Sequence, residues 1–196
     1  MEFRESRTYV NLMRAFAGES QARNRYNIAA SYARKEGLQN VEAIFNYTAE
    51  QERAHAKVFY ELLKDATGDT IAIDGTYPVD LHDSTLKLLR AAQHNENEEW
   101  EDVYRNFGLI AKEEGFANIA RIFEEIANVE RVHAERFGRI ADELENGTLF
   151  RKKEEIVWIC TNCGHIHVGK EAPEICSVCR HPKGFFIPFA ESFAAR

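Results

Sequence analysis

Two pairs of residues in this chain have the types and the spacing to hold cations inside a helical bundle. Glu130 and His133 lie three apart in Ala127-Asn-Val-Glu-Arg-Val-His-Ala134, and Glu52 and His55 lie three apart in Gln51-Glu-Arg-Ala-His-Ala56. Residues three apart on a helix are neighbours on one face. A carboxylate at that spacing can bridge two cations while the imidazole caps one of them, which is the arrangement of di-metal sites in bundle cores. A single Glu-x-x-His is commonplace on a solvated helix face. Two copies in repeated surroundings are not.

The surroundings do repeat. Residues Ala33 to Phe59 and Ala111 to Phe137 align without a gap at an offset of 78, matching among others Glu36 with Glu114, Gly37 with Gly115, Phe45 with Phe123, Ala49 with Ala127 and Phe59 with Phe137. Self-similarity at a fixed offset marks a duplicated unit. Here the unit is a helical hairpin, and two hairpins make a four-helix bundle with an approximate two-fold axis. Both Glu-x-x-His pairs then fall at its centre.

The elements that must position them read as follows. The first helix spans about 6–36, with Tyr9, Leu12, Phe16, Glu19, Tyr26 and Ala30 at helical spacing, and stops at Glu36-Gly37. The second runs over about 39–66. Residues 67–83 break the pattern with Gly, Asp and Pro and form the one long connection, a crossover along the bundle as in ferritin-like folds. Ser84 caps a third helix that runs to about 113. Glu114-Gly115 repeats the stop, and a fourth helix covers about 116–145. The bundle is expected over 1–147, a charged linker over 148–155 and a separate small module over 156–196.

The first and third helices must supply the remaining carboxylates. Glu19 lies mid-helix among core-facing residues, where a charge is costly unless paired or bound to metal. In the third helix, Glu96 and Glu99 share one face, which turns Glu98 and Glu101 toward solvent. The repeat register carries Tyr26 onto Tyr104, yet it carries Glu19 onto Asn97. Glu96 corresponds to Glu19 only if the third helix gains one residue between Glu96 and Tyr104. Such a gain is a π-bulge, a feature that favours functional sites. The alternative is that the first helices of the two hairpins have drifted apart.

All four cysteines lie in two Cys-x-x-Cys knuckles, Cys160/Cys163 and Cys176/Cys179, with 12 residues between them. That spacing specifies a tetrahedral four-thiolate site for zinc or one iron. About 40 residues cannot hold a core alone, so the metal is a staple. The composition agrees: 196 residues, 44% hydrophobic and 29% charged, suit one packed domain plus a small module. A net charge of -7 disfavours nucleic acid and anionic membrane surfaces. No apolar run approaches the roughly 20 residues of a spanning helix. The charged start lacks the apolar core of a signal peptide, so a cytoplasmic protein is expected.

Taken together, Ala17-Gly-Glu-Ser-Gln-Ala22, the two Glu-x-x-His pairs, Glu96-x-x-Glu99 and a C-terminal double knuckle ending at Gly184-Phe-Phe186 resemble the rubrerythrin family over nearly the whole chain. The resemblance implies a ferritin-like di-iron bundle fused to a rubredoxin-like one-iron domain. It implies reduction of hydrogen peroxide to water in oxidative-stress defence, with two iron ions in the bundle and one in the four-cysteine site, where zinc can substitute. It further implies Glu52 and Glu130 as bridging carboxylates, Glu19 and Glu99 on one iron, and Glu96 and His133 on the other. His55 would exchange with Glu99 on reduction, and Tyr26 and Tyr104 would support the ligands. One departure is Arg180, which follows Cys179 where rubredoxin-like knuckles commonly have Gly.

Two other classes of function compete. Iron oxidation and storage on the same fold needs a hollow multi-subunit shell and has no use for a cysteine module. A non-catalytic zinc protein would be colourless. For a peroxidase, the bundle's length separates each cysteine module from its own di-iron site, because His133 lies about 12 residues, roughly 18 Å, from the end of the fourth helix. A head-to-tail homodimer would bring a partner's module alongside. The external electron donor would be a rubredoxin or a reductase.

Overall fold

The computed structural model of the chain describes residues 2–192. Helix α1 (Arg7–Lys35) opens at Ser6, whose hydroxyl accepts the Tyr9 N–H at 3.1 Å. It closes where Gly37, at φ 77°, lets the Leu38 N–H reach back to the Ala33 carbonyl at 2.9 Å. The same closure recurs 78 residues on: Gly115 sits at φ 90° and the Phe116 N–H reaches the Ala111 carbonyl at 2.8 Å. The repeated glycines thus serve one purpose, a left-handed turn that a Cβ would penalise.

Helix α2 (Gln39–Glu61) ends earlier than the expected residue 66. A short 3-10 turn, Lys64–Ala66, follows and tucks Leu63 and Ala66 into the core. After the crossover, Ser84 caps α3 (Thr85–Glu98) by accepting the Lys87 N–H at 3.4 Å. The next five residues, Glu99–Val103, form a π-helical turn in which the Tyr104 N–H bonds the Glu99 carbonyl. α4 (Tyr104–Glu113) then completes the third bundle helix. The extra residue that the repeat register requires is therefore present, and drift is not needed to explain the offset. α5 (Ala117–Glu145) is the fourth bundle helix.

α1 packs on α2, and α3 and α4 pack on α5, as duplicated hairpins should. Each hairpin pair builds an equivalent aromatic cluster. Tyr26 packs against Phe137 at 5.1 Å and Phe45 against Phe137 at 5.2 Å. Their repeat counterparts, Tyr104 with Phe59 and Phe123 with Phe59, stand at 5.4 and 5.0 Å. These clusters belong to two separate apolar cores, one toward each end of the bundle. Burial of rings of this size dominates core energetics, at roughly 2–3 kcal/mol per side chain. The space between the two cores is polar, and it holds the candidate site.

The crossover runs without regular structure but is tied down. Arg14 Nε bonds Asp74 at 3.1 Å, and Asp80 accepts from Arg25 at 2.7 Å and from Asn95 at 2.8 Å. Among the described residues no helix is long and apolar enough to cross a membrane.

The C-terminal module is a three-stranded antiparallel sheet in the order β2-β1-β3, formed by Arg151–Cys160 (β1), Ile166–Glu171 (β2) and Phe186–Pro188 (β3). β1 begins inside the charged stretch 148–155 expected as a linker. Arg151 pairs with Glu171 across the sheet, Lys152 reaches Glu143 of α5 at 2.7 Å, and Leu149 is buried against the bundle. Alternating charges there serve strand pairing and docking. The module's core is Trp158, Cys160, Ala172, Cys176 and Phe186. It sits at the end of the bundle that holds the α1–α2 turn. Gly184 approaches so closely that an added Cβ would lie 1.9 Å from the Gly37 carbonyl, and Arg139 pairs with Glu191 at 3.2 Å.

Candidate metal centre

Four helices bring six of the predicted residues together between the two apolar cores. α1 supplies Glu19, α2 supplies Glu52 and His55, α3 supplies Glu96, and α5 supplies Glu130 and His133. They form two overlapping groups: Glu19, Glu52, His55 and Glu130, and Glu52, Glu96, Glu130 and His133, with the ligand atoms of each group within 4.8 Å of one another. Only Glu52 and Glu130 belong to both. Each of these two carboxylates turns one oxygen to each imidazole. Glu52 lies 3.1 Å from His55 Nδ1 and 3.0 Å from His133 Nδ1 through opposite oxygens. Glu130 does the same at 3.0 and 2.8 Å. Glu19 and Glu96 stand at equivalent outer positions, 3.8 Å from His55 Nδ1 and 3.7 Å from His133 Nδ1.

Two tyrosines hold the outer carboxylates, and each comes from the opposite hairpin. The Tyr104 hydroxyl donates to Glu19 at 2.6 Å, and the Tyr26 hydroxyl donates to Glu96. The π-helical turn is what makes this exchange symmetric: it lies between Glu96 and Tyr104 and absorbs the odd residue. Glu99 opens that turn and belongs to neither group. It is half-buried and lines a cavity on the crossover side. The crossover contributions of Asp80 and Tyr77, and the gap left by Gly18, were not legible in the sequence. The crossover has no counterpart in the first half of the repeat, and a loop pattern of Gly, Asp and Pro does not say which side chain turns inward.

The cysteine module gathers its four thiols as expected, with all four sulfurs within 4.8 Å. Cys160 and Cys179 lie 3.7 Å apart, as do Cys163 and Cys176. Those distances are far beyond a disulfide. They equal the edge of a tetrahedron whose metal–sulfur bonds are about 2.3 Å. The knuckles are near-copies: the Cys160 N–H bonds His165 O at 2.9 Å and the Cys176 N–H bonds His181 O at 2.8 Å. Arg180 takes φ 65° where Gly164 takes φ 77° in the first knuckle. A left-handed non-glycine residue costs roughly 1–2 kcal/mol, which the surrounding thiolate site must offset. The backbone N–H of His181 holds the Cys179 thiol down to about 5, against the effect of burial.

Residues 11–152 match the rubrerythrin family model, and residues 158–187 match the model described as the rubredoxin-like domain of rubrerythrin. The chain belongs to the rubrerythrin family. It is 44% identical over 188 residues to rubrerythrin of Porphyromonas gingivalis, covering 96% of this chain and 92% of that one. It resembles the fully reduced, all-ferrous state of nigerythrin with a TM-score of 0.63 at 28% identity, over 94% of this chain and 90% of that one. The likeness to bacterioferritin of Desulfovibrio desulfuricans, TM-score 0.64 at 23% identity over 72% of this chain and 81% of that one, shows the ferritin-like fold of the bundle.

Rubrerythrins are di-iron proteins of oxidative-stress defence, and the donor sets here match their iron cofactors: two Glu/His groups in the bundle and four cysteines in the rubredoxin-like domain. The fit rests on orphaned atoms. Glu19 Oε2, Glu52 Oε1, Glu96 Oε2, both Glu130 oxygens and both His133 nitrogens are buried without a hydrogen-bond partner. His133 Nδ1 is within 2.8 Å of Glu130 Oε2 yet is not aligned to donate to it. So many lone pairs converging on two points, with too few N–H or O–H groups among them, fit cations.

Without cations the cluster must take up protons. Burial, then the charges of Glu130, Glu52 and Glu99, raise Glu19 well above the carboxylate range. Burial raises Glu96 and Glu99 in the same direction. Burial alone would lower the histidines, but the close carboxylates of Glu130 and Glu52 outweigh it and push His55 to about 10 and His133 to about 12. All five groups bind protons more tightly folded than unfolded. Their contribution to stability is therefore complete at low pH and is lost as pH rises from the ordinary carboxylate range toward the raised values. The metal-free chain should lose thermal stability steadily as pH rises from about 5 to about 10. Metal loading should flatten that slope, because cations replace the protons. Thermal melts of both forms across pH check this, and equal slopes would contradict it.

Proposed function

We propose that this chain is a non-haem di-iron peroxidase that reduces hydrogen peroxide to water, with electrons delivered through the four-cysteine iron. The observation that carries this reading is the pair of overlapping ligand groups sharing Glu52 and Glu130. Glu19, Glu52, His55, Glu96, Glu130 and His133 would hold two ferrous ions, which would supply the two electrons that peroxide needs. The protein's part is to fix the ligands and manage protons. Glu52 and Glu130 keep the two positions together, and Tyr26 and Tyr104 orient Glu96 and Glu19 by donating to one oxygen and leaving the other free. The flanking apolar cores keep bulk water out. Glu99 stands at the cavity side of the site. The setting is the reducing cytoplasm, where the four thiols stay available.

Glu52→Ala and Glu130→Ala should each lose the bundle's paired iron and peroxide turnover while the iron held by the four cysteines remains. Metal analysis with a visible spectrum reads both centres separately. Full iron content and turnover in either variant would overturn the bridging assignment.

His55 and Glu99 would alternate as the seventh ligand. His55 Nδ1 lies within one group, and Glu99 stands outside both, which is the arrangement proposed for the reduced state. The neutral imidazole suits ferrous iron and the carboxylate suits ferric iron. Structures of oxidised and reduced protein with iron confirmed at the site decide this, and the same ligand set in both would end the idea.

The geometry also bears on the electron route. The rubredoxin-like domain docks beside Gly37, and Glu52 lies 13 residues into α2 from Gln39, roughly 20 Å along the axis. That separation supports a head-to-tail homodimer in which each domain feeds its partner's bundle, recharged by a rubredoxin or a reductase. A mixed dimer of one chain lacking Cys160 and Cys176 and one lacking Glu52 and Glu130 should regain up to about half of the activity, from its single intact pairing. A dead mixture would show that each chain serves itself.

A further inference from the structure

A cavity of about 650 Å³ opens beside the carboxylate cluster. Glu99 and Tyr104 line it, and Tyr104 is the residue that holds Glu19. Its apolar wall comes from three separate elements: Ala15 and Gly18 of α1, Val103 and Phe107 of the third helix, and Tyr77 and Pro78 of the crossover. Hydrogen peroxide does not account for such a space. A water molecule takes about 30 Å³ of liquid, and peroxide adds one oxygen to that. The volume lies instead within the roughly 300–1,000 Å³ of sites that hold small organic molecules.

The charges around the cavity select among such molecules. Arg14 and Arg25 line it but are already engaged, Arg14 with Asp74 and Arg25 with Asp80 and Gln21. Glu98 and Asp102 add negative charge to the lining. A guest carrying its own carboxylate meets repulsion without a free cation to receive it. A neutral guest with an apolar body meets Ala15, Tyr77, Pro78 and Phe107.

We propose that the bundle site also reduces neutral organic hydroperoxides, with the alkyl or aryl group lodged in this cavity and the O–O group presented beside Glu99. The inference rests on the peroxide-reducing reading and extends its substrate class. The step balances in the same way as for peroxide: the O–O bond of ROOH breaks, and two electrons come from the ferrous pair. One proton goes to each oxygen, giving ROH and water.

Gly18 offers the cleanest test. Its backbone is helical, and a Cβ there meets only Tyr77, at 4.0 Å, so Gly18→Leu fills the cavity and Gly18→Ala fills it partly. With the iron-loaded full chain, cumene hydroperoxide should be turned over alongside hydrogen peroxide. Gly18→Leu should raise KM for cumene hydroperoxide about tenfold, with Gly18→Ala in between, while both leave hydrogen peroxide kinetics unchanged. A readout free of turnover is the binding of 2-phenyl-2-propanol, the alcohol product, to zinc-loaded chain by saturation-transfer NMR, which Gly18→Leu should abolish. If hydrogen peroxide is reduced and cumene hydroperoxide is not, this inference falls and the peroxidase reading stands. If neither is reduced, both fall. Equal losses for both substrates in Gly18→Leu would overturn the lodging of the organic group. Linoleate hydroperoxide reduced as readily as cumene hydroperoxide would overturn the restriction to neutral guests.

Discussion

The structure depends on an imbalance at its centre. Four buried glutamates, Glu19, Glu52, Glu96 and Glu130, face one another together with the buried His133 and the partly exposed His55. Carboxylates only accept when ionised, and few donors are present. Tyr26 and Tyr104 each satisfy one oxygen of an outer glutamate, and most of the remaining lone pairs have no donor. Burying that much unpaired negative charge costs several kcal/mol per group. Cations or protons must balance it. The same demand that makes the centre a poor stabiliser of the empty fold makes it a strong binder of metal.

The rest of the bundle is arranged to tolerate that centre. The aromatic clusters around Phe45 and Phe137 and around Phe59 and Phe123 provide burial on both sides. They come from duplicated positions, so the site inherits their approximate two-fold symmetry. At the site the symmetry is broken by the π-helical turn Glu99–Val103. That turn lets Glu96 take the position corresponding to Glu19 while Tyr104 keeps the position corresponding to Tyr26. It also leaves Glu99 without a repeat partner, next to the cavity. The asymmetry between the two ligand groups thus begins in a single extra residue of helix.

The crossover and the rubredoxin-like domain add what a symmetric bundle lacks. The crossover is held by Asp74 and Asp80, and it places Tyr77 and Pro78 over the gap left by Gly18. That makes one face of the site a walled cavity rather than a closed helix contact. The rubredoxin-like domain docks at the far end of the bundle through Gly184 and Glu191. Its thiolate site carries the left-handed Arg180, so the metal must offset local strain as well as order the sheet.

Much of this was written in the sequence. The offset of 78 placed two Glu-x-x-His pairs in equivalent helices, and the mismatch between Glu19 and Asn97 left a π-bulge or drift, between which the structure decides for the π-helical turn. Two Cys-x-x-Cys knuckles announced their own geometry. These features are legible because helical spacing and knuckle spacing are local, and local spacing dictates which side chains share a face. What the tertiary structure alone decided is non-local. It placed each tyrosine on the carboxylate of the opposite hairpin, put Glu99 outside both ligand groups, and made 151–155 a strand rather than a linker. It also opened the cavity between α1, the third helix and the crossover. Each of these depends on how far apart two packed segments come to rest. That distance is set by the sum of side-chain volumes across an interface, which no spacing along one segment contains.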